Sequence, residues 1–371
     1  MHTKYFILLC TIAVAVFHQR CLGQLAPKEA RIIAGFGKDL GDYIKDDNVH
    51  GSISAAVVQN GRVIWASAFG QAGVDSDTPA DTGTIYRIAS ITKTFTAVLL
   101  MLLVEEGKVG LDDPVEKYVP EVAQIQGYGG GTKFTLRQLA SHTSGLKREP
   151  DMPGASLGPV SQWQSKLLAC IPHTSFNSGP GEQFLYSNIG YALLGLALER
   201  AAGVPYIQMV QEKIFTPLHM DNTFFSIPDE KFSKLAQGID NKKEDGINTK
   251  LPLQQMAGMG YRVPNGGIWS TPLDVAKFVI ALMGGYPLLK PASTRQMLTV
   301  PPGGKNYGLG MMIMHNRLPQ MIGHNGSDPG YTSQFAIGLP DGNNAVILMR
   351  NYNVGKSDLE EVASDILGRL R

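Results

Sequence analysis

The chain has 371 residues, 43% of them hydrophobic and 18% charged, which is enough apolar material for one large or two medium globular domains. The formal net charge is +1 and no long run of one sign occurs, so the composition gives no support for a nucleic-acid or anionic-membrane surface. The 42 glycines and 22 prolines are spread along the chain, which predicts many turns.

The N-terminus predicts an export signal. His2 and Lys4 precede an apolar run, residues 5–17, whose length suits the hydrophobic part of a signal peptide and is short for a membrane span. Gly23 would supply the small residue before cleavage. We therefore expect residues 1–23 to be removed and the mature chain to be periplasmic or secreted, without a stable membrane span; an uncleaved membrane anchor is the alternative.

The three cysteines predict no internal disulfide. Cys10 and Cys21 would leave with the signal, and Cys170 alone would remain. A lone cysteine can be a nucleophile, but the apolar residues around Cys170 favour a buried side chain without a catalytic role. The histidines show no metal-ligand spacing, and no metal or other cofactor is expected.

Strand patterns occur towards both ends of the chain. Two apolar runs, residues 52–60 and 62–68, meet at Asn60-Gly61, which is a strong hairpin signal. Near the other end, further strands are predicted at residues 307–314, 320–323, 333–339 and 345–349. The chain closes with helical periodicity over residues 357–370.

The middle of the chain reads as helical, with helices predicted at residues 90–106, 135–141 and 190–200. Strands at both ends around a helical middle predict an α/β (α+β) fold. Its antiparallel sheet would be built from both chain ends and flanked by helices, with a mostly helical domain inserted. We expect residues 24–95 and 260–371 to form the sheet domain and residues 96–259 the helical domain.

Ser90 and Lys93 stand at the start of the predicted 90–106 helix. Residues i and i+3 share one face of a helix, and the first helical turn favours negative charge. A partly desolvated lysine beside a serine can take the hydroxyl proton and make the serine a nucleophile. The pair alone favours a capping serine and a solvated lysine, because this spacing occurs often by chance.

Motifs later in the chain favour a catalytic role for Ser90 and Lys93. Tyr186-Ser-Asn188 lies just before a predicted helix, and His324-Asn-Gly326 leads into the last predicted hairpin. Two longer stretches, "LASHTSGL" at residues 139–146 and "GGIWSTPLDVAKF" at residues 266–278, complete the set.

With these motifs, residues 53–351 resemble the serine β-lactamase and penicillin-binding protein superfamily. The likeness is closest to its class C-like branch, which includes DD-peptidases, D-aminopeptidases and family VIII esterases. The resemblance implies a β-lactamase/transpeptidase-like fold. It also implies that Ser90 is the acylated nucleophile, Lys93 its proton acceptor, and Tyr186 the acid and base for the leaving group and the water.

The same resemblance implies the binding residues. Asn188 would hydrogen-bond the substrate amide or the lysine, and Gly326 would let the substrate backbone approach the strand. The backbone N–H groups of Ser90 and Ser327 would form the oxyanion hole. His324 stands where β-lactamases usually carry lysine; a neutral histidine binds a carboxylate less strongly, and we expect it to charge as pH falls towards 6.

Two other motifs are weaker candidates for a functional site. Residues 154–158 match Gly-x-Ser-x-Gly around Ser156, but prolines bracket the motif and a strand-to-helix elbow is not expected. Residues 35–41 contain three glycines without the spacing of a dinucleotide site. His142, in the "LASHTSGL" motif, is expected to be structural.

The leading functional hypothesis is a metal-independent serine hydrolase that forms an acyl-enzyme with a D-amino-acid peptide or a β-lactam. A carboxylesterase on the same scaffold is the first alternative. A penicillin-binding sensor that is acylated without turnover is the non-enzymatic alternative.

Overall fold

The computed structural model describes residues 25–73, 78–240, 249–286, 288–315 and 320–371. The expected signal peptide, with Cys10 and Cys21, lies outside these ranges, so export stays a prediction. Within the described ranges, no helix combines the length and the apolar character needed to cross a bilayer.

Helices fill most of the middle of the chain and also lie at both ends. They are α1 (Pro27–Asp47), α2 (Thr92–Glu105), α3 (Leu136–Ala140), α4 (Trp163–Cys170), α5 (Asn188–Ala202), α6 (Tyr206–Val210), α7 (Lys250–Gln254), α8 (Val263–Gly266), α9 (Pro272–Leu282), α10 (Pro291–Met297) and α11 (Leu359–Arg369).

The strands form one large antiparallel sheet and one small one. They are β1 (Ser52–Gln59), β2 (Arg62–Gly70), β3 (Tyr86–Arg87), β4 (Trp269–Ser270), β5 (Met312–Met314), β6 (Met321–Asp328), β7 (Tyr331–Gly338) and β8 (Asn344–Arg350). The large sheet has the order β2-β1-β8-β7-β6-β5, and β3 pairs with β4. Strands from both chain ends therefore meet at the β1–β8 pair, which confirms the predicted α/β fold; the domain boundaries stay a prediction.

The β1–β2 hairpin forms where the sequence predicts it. Asn60 and Gly61 both have positive φ, at 50° and 70°, as a tight two-residue turn with the twist of the sheet requires. Seven of the eight β1 residues are buried, because helices cover both faces of this central strand. Strand β1 thus lies inside the fold, while β2, with one buried residue, forms an edge of the sheet.

Two helical layers sandwich the large sheet. On one face, α1 and α11 pack over an apolar cluster that contains Phe36, Trp65 and Ile366. On the other face, α9 packs across β1, β2 and β8, and the turn that precedes α2 contacts β6 and β7. The residues of α2 from Thr92 to Met101 are all buried. A helix that is buried on nearly every side lies at the centre of the fold. The start of α2 is therefore held firmly between the sheet and the helical part of the chain.

The predicted strand at residues 307–314 is mostly wrong, since only Met312–Met314 pairs with β6. The backbone N–H groups of Leu309 and Gly310 instead donate to carbonyl oxygens of helices, those of Met297 in α10 and Ala140 in α3. Thr94 of α2 donates a hydrogen bond to the Gly310 carbonyl at 2.7 Å, and a Cβ on Gly310 would lie 2.5 Å from the Ala97 Cβ. Tertiary packing against α2 thus overrides the local strand pattern.

Candidate active site

Ser90 lies in a tight 3-10 turn, Ala89–Ile91, directly before α2; the predicted helix therefore begins two residues late, at Thr92. Ala89 has a φ of 47°, a left-handed conformation that costs a residue with a side chain about 1–2 kcal/mol. Strain of this kind persists only where the surroundings hold it, and it is concentrated at functional sites. Ser90 itself is 8% exposed.

Lys93 approaches Ser90 from the first turn of α2. Its Nζ lies 3.0 Å from Ser90 Oγ and 2.9 Å from the backbone oxygen of Asn265. Lys93 is fully buried, and burial lowers its pKa well below the ordinary value, with the charge of Arg262 acting in the same direction. A neutral amine in this position can accept the Ser90 hydroxyl proton.

Tyr186 completes the predicted triplet. Lys93 Nζ lies 4.8 Å from the centroid of the Tyr186 ring. Burial raises the pKa of Tyr186 to about 12, although its hydrogen bond with Ser90 opposes that increase. The phenol therefore stays protonated at neutral pH and can donate a proton. The structure brings Ser90, Lys93 and Tyr186 together, as the sequence predicts.

The His142 ring packs against the Tyr186 ring. The two ring centroids lie 4.2 Å apart, and His142 Nδ1 accepts a hydrogen bond from the Ser187 backbone N–H at 3.0 Å. The ring is fully buried, and burial lowers the pKa of His142 well below its ordinary value. His142 is therefore a neutral ring that fixes the position of Tyr186. The sequence analysis singled out the motif that contains His142 but did not predict the contact between His142 and Tyr186.

Asn188 differs from the expectation that it could bind the lysine. It is the first residue of α5, where Ser187 is the N-cap, and its Nδ2 donates to Glu149 Oε1. Lys93 instead bonds the Asn265 backbone, while Asn188 Oδ1 is buried and has no hydrogen-bond partner among the described residues. An unpaired buried acceptor is costly, and a hydrogen bond from Asn188 to a substrate amide stays a prediction.

His324 is the clearest correction. Its side chain is fully buried, Nδ1 donates to the Asn325 backbone oxygen at 2.6 Å, and Nε2 accepts from the Tyr307 hydroxyl at 2.9 Å. Burial, aided by the charge of Lys93, lowers the pKa of His324 to about 3. The expectation that His324 charges near pH 6 and binds a substrate carboxylate is therefore wrong. Its partner Tyr307 belongs to the segment predicted as a strand, and no sequence signal indicated the contact.

Gly326 and Ser327 lie on β6 beside the nucleophile turn. A Cβ on Gly326 would come within 2.2 Å of the Ile88 carbonyl oxygen and 3.1 Å from the Ala89 Cβ. The glycine is thus required for close packing of this chain against itself, and its role in the approach of a substrate stays a prediction. Ser327 is exposed at the end of the strand and borders the neighbouring cleft.

An open cleft of about 370 Å³ lies beside these residues. Its walls include Arg148, Glu149, Asn188, Arg262 and Ser327. The three charged residues among them escaped the sequence analysis, because a lone arginine or glutamate in a polar stretch resembles any solvated residue.

The competing nucleophiles lie in unsuitable places. Ser156 borders the cleft but lies in a turn, so the strand-to-helix elbow that its motif requires is missing there, as expected. Cys170 is buried in α4, and burial raises the pKa of its thiol to about 11, which disfavours the reactive thiolate. The glycines at residues 35–41 lie within α1 and form no phosphate-binding loop.

Comparisons with known proteins agree with this geometry. Residues 34–368 match the family described as Beta-lactamase. The D-alanyl-D-alanine-carboxypeptidase/endopeptidase AmpH of Escherichia coli is 32% identical over 249 residues, which covers 66% of this chain and 61% of that protein. The chain thus spans less than two thirds of the length of this relative.

Solved structures give the same assignment. The β-lactamase/D-alanine carboxypeptidase from Yersinia pestis superposes with a TM-score of 0.75 at 26% identity, covering 92% of this chain and 98% of that one. A D-stereospecific amidohydrolase from Streptomyces gives a TM-score of 0.71 at 26% identity, covering 89% of this chain and 96% of that one. The chain belongs to the β-lactamase family of serine hydrolases.

Proposed function

We propose that the protein hydrolyses an amide bond of a D-amino-acid peptide or a β-lactam through an acyl-enzyme at Ser90. The observation that carries this proposal is the 3.0 Å contact between Ser90 Oγ and the buried Lys93 amine, next to a protonated Tyr186. A nucleophile, a base with a lowered pKa and an acid with a raised pKa form the minimum set for acyl transfer.

The proposed reaction begins when the neutral Lys93 amine takes the Ser90 proton as Oγ attacks the substrate carbonyl. Tyr186 then gives its proton to the departing nitrogen, and the Lys93 ammonium returns a proton to Tyr186. This sequence forms the Ser90 ester and releases the amine. Water attacks that ester in the second half, with its proton accepted by the same pair, and restores the Ser90 hydroxyl.

Strand β6 supports the proposed oxyanion hole. β5 pairs with β6 only over Met321–Gly323, so β5 leaves the outer edge of β6 unpaired beyond Gly323. In an antiparallel ladder, pairs that share backbone hydrogen bonds alternate with pairs that do not. Asp328 and Tyr331 flank the two-residue turn and form the first hydrogen-bonded pair, so the next pair, Ser327 with Thr332, shares no such bonds. The Ser327 N–H then faces the open edge, where it can act with the Ser90 N–H on a developing oxyanion.

The D-amino-acid substrate is suggested by the relatives, since one is named a D-alanyl-D-alanine carboxypeptidase and another a D-stereospecific amidohydrolase. A carboxylesterase is a second candidate, favoured by the burial of His324. With a neutral, inaccessible side chain at that strand position, β6 lacks the positive charge that would attract the carboxylate of a β-lactam.

The test combines labelling and turnover. A fluorophosphonate should add one label to the folded protein, on the peptide that holds Ser90, and Ser90→Ala should abolish both label and turnover. Ser156→Ala should retain both, and the reverse pattern would overturn the assignment. Turnover of a chromogenic cephalosporin, a D-alanyl peptide and a nitrophenyl ester then ranks the substrate classes. A stable adduct with every substrate would instead favour a penicillin-binding sensor that is acylated without turnover.

A further inference from the structure

We propose that Arg148 binds a carboxylate of the substrate and thereby sets the preference of the cleft for anionic substrates. This inference rests on the proposed function of Ser90. It starts from the burial of His324, which leaves the strand position without an accessible charge. A cation for an anionic substrate must then come from another wall of the cleft.

Arg148 is placed for that role. Its side chain is 64% exposed and borders the cleft together with Asn188 and Ser327. Its guanidinium carbon lies 4.8 Å from the centroid of the Tyr186 ring, so a cation–π contact holds the group over the proposed acid. A carboxylate bound by Arg148 would therefore lie next to the reacting centre.

Glu149 forms only a loose ion pair with Arg148. Glu149 Oε1 lies 3.8 Å from Arg148 Nε, a long separation for an ion pair. Both Glu149 oxygens already accept short hydrogen bonds, Oε1 from Asn188 Nδ2 and Oε2 from the Tyr261 hydroxyl. Since Glu149 is held by these partners, the guanidinium of Arg148 keeps most of its donors available.

The second arginine of the cleft is already paired. Arg262 is 12% exposed, its Nη2 lies 2.9 Å from Asp328 Oδ1, and its Nε donates to Asn265 Oδ1 at 3.3 Å. Arg148 and Arg262 are the cations among the residues that line this cleft. Arg148 is therefore the accessible one. A guanidinium matches a carboxylate with two parallel N–H···O bonds, which a lysine cannot reproduce.

The contribution of Arg148 to the fold runs through its backbone. The Arg148 carbonyl accepts hydrogen bonds from the N–H groups of Asn188, at 2.9 Å, and Ile189, at 3.3 Å, at the start of α5. A substitution of the side chain leaves these bonds in place, so Arg148→Ala should fold. Its charge also lowers the pKa of Tyr186, so this variant will slow neutral substrates to some extent. The readout must therefore be the ratio of kcat/KM for an anionic substrate to kcat/KM for its neutral counterpart.

The experiment measures kcat/KM for two matched pairs of esters. In the first pair the acyl part is a glutarate half-ester or its neutral methyl ester, on nitrophenol. In the second pair an acetyl group is carried by carboxyphenol or by its neutral methyl ester. Wild type, Arg148→Ala, Arg148→Lys and the exposed control Arg62→Ala are compared. The pair that responds identifies which part of the substrate carries the carboxylate.

Arg148→Ala should lower kcat/KM for the anionic ester of one pair by about tenfold to a hundredfold more than for its neutral partner. Arg148→Lys should lose less, and Arg62→Ala should leave both ratios unchanged. Equal losses on both members of both pairs would overturn the inference. Fluorophosphonate labelling of Ser90 separates the two proposals: a labelled Ser90 with unchanged ratios refutes the role of Arg148 alone, and an unlabelled wild type refutes the proposed function.

Discussion

The His324 ring accepts a hydrogen bond from the buried Tyr307 hydroxyl at 2.9 Å, and its other nitrogen donates to the strand backbone. Both ring nitrogens therefore have hydrogen-bond partners, and this pattern requires the neutral form of the ring. Protonation would break the bond from Tyr307 and place a cation in a buried site near Lys93. His324 thus contributes to the architecture of β6, and we expect it to stay neutral between pH 6 and 8.

This burial makes folding depend on pH. The pKa of His324 is about 3 in the folded protein and about 6.5 in an unfolded chain. Between these values the unfolded chain binds a proton that the folded chain does not. The stability from neutral His324 is therefore present above pH 6.5 and is lost as pH falls towards 3, at about 1.4 kcal/mol per pH unit.

The measurement is urea unfolding of wild type and His324→Gln from pH 4.5 to 8. Glutamine can still accept from Tyr307 but does not titrate. The difference in free energy of unfolding should be constant above pH 6.5 and shrink below it. The buried His142 is common to both proteins, so its effect cancels. Parallel curves at all pH values would show that His324 can be protonated in the folded state.

Lys93 is expected to act as a base, which depends on its lowered pKa. Lys93→Arg places a positive charge at this position that cannot be given up, because a guanidinium stays protonated. It should therefore slow acylation of Ser90 as severely as Lys93→Met, by roughly a hundredfold to ten-thousandfold. Wild-type acylation should fall at acidic pH, as the amine gains its proton, and level off well below pH 10.5.

Fluorophosphonate labelling rates from pH 5 to 10 test this point. A Lys93→Arg variant that keeps a large part of the wild-type rate would mean that the charge of Lys93, and not its basicity, assists Ser90. A wild-type rate that keeps rising up to pH 10 would contradict the lowered pKa.

The sequence predicted the parts of the site that depend on local order. Ser90 and Lys93 are three residues apart at a helix start, so their 3.0 Å contact follows from helical geometry. The Asn60-Gly61 turn likewise follows from the need for positive φ in a tight hairpin.

The remaining features depend on contacts between distant segments. Tyr307 reaches His324 because residues 307–310 pack against α2, and Glu149 reaches Tyr261 and Asn188 because three separate segments converge at the cleft. Periodicity and motif spacing carry no information on such pairings. The His324 prediction was wrong for this reason: its position in a motif was clear, but its burial was not.

Tyr186 is expected to protonate the leaving group, since its raised pKa keeps the phenol neutral. Tyr186→Phe should therefore slow alkyl esters and amides, which need a proton, by roughly a hundredfold or more, and slow nitrophenyl esters much less. The measurement is kcat/KM for a series of esters that share one acyl group and differ in leaving-group pKa. Equal losses along the series would show that Tyr186 acts in positioning or packing.

Gly326 is expected to be a structural requirement of the nucleophile turn. A Cβ there would lie 2.2 Å from the Ile88 carbonyl oxygen and 2.4 Å from Ser333 Oγ, so Gly326→Ala must separate β6 from the turn that holds Ser90. Overpacking of this kind costs about 1–3 kcal/mol. The shift also moves Ser90 away from the edge of β6, and labelling of Ser90 by a fluorophosphonate should slow.

Gly131→Ala is the matched control, because a Cβ at Gly131 would meet no atom within 4 Å. Urea unfolding and the rate of Ser90 labelling should separate the two variants, with Gly131→Ala close to wild type in both. If Gly326→Ala instead kept both the stability and the labelling rate of wild type, the close contact between β6 and the Ile88 carbonyl would not constrain the site. The low tolerance expected at Gly326 follows because its nearest neighbour is a backbone carbonyl, which cannot rotate away as a side chain can.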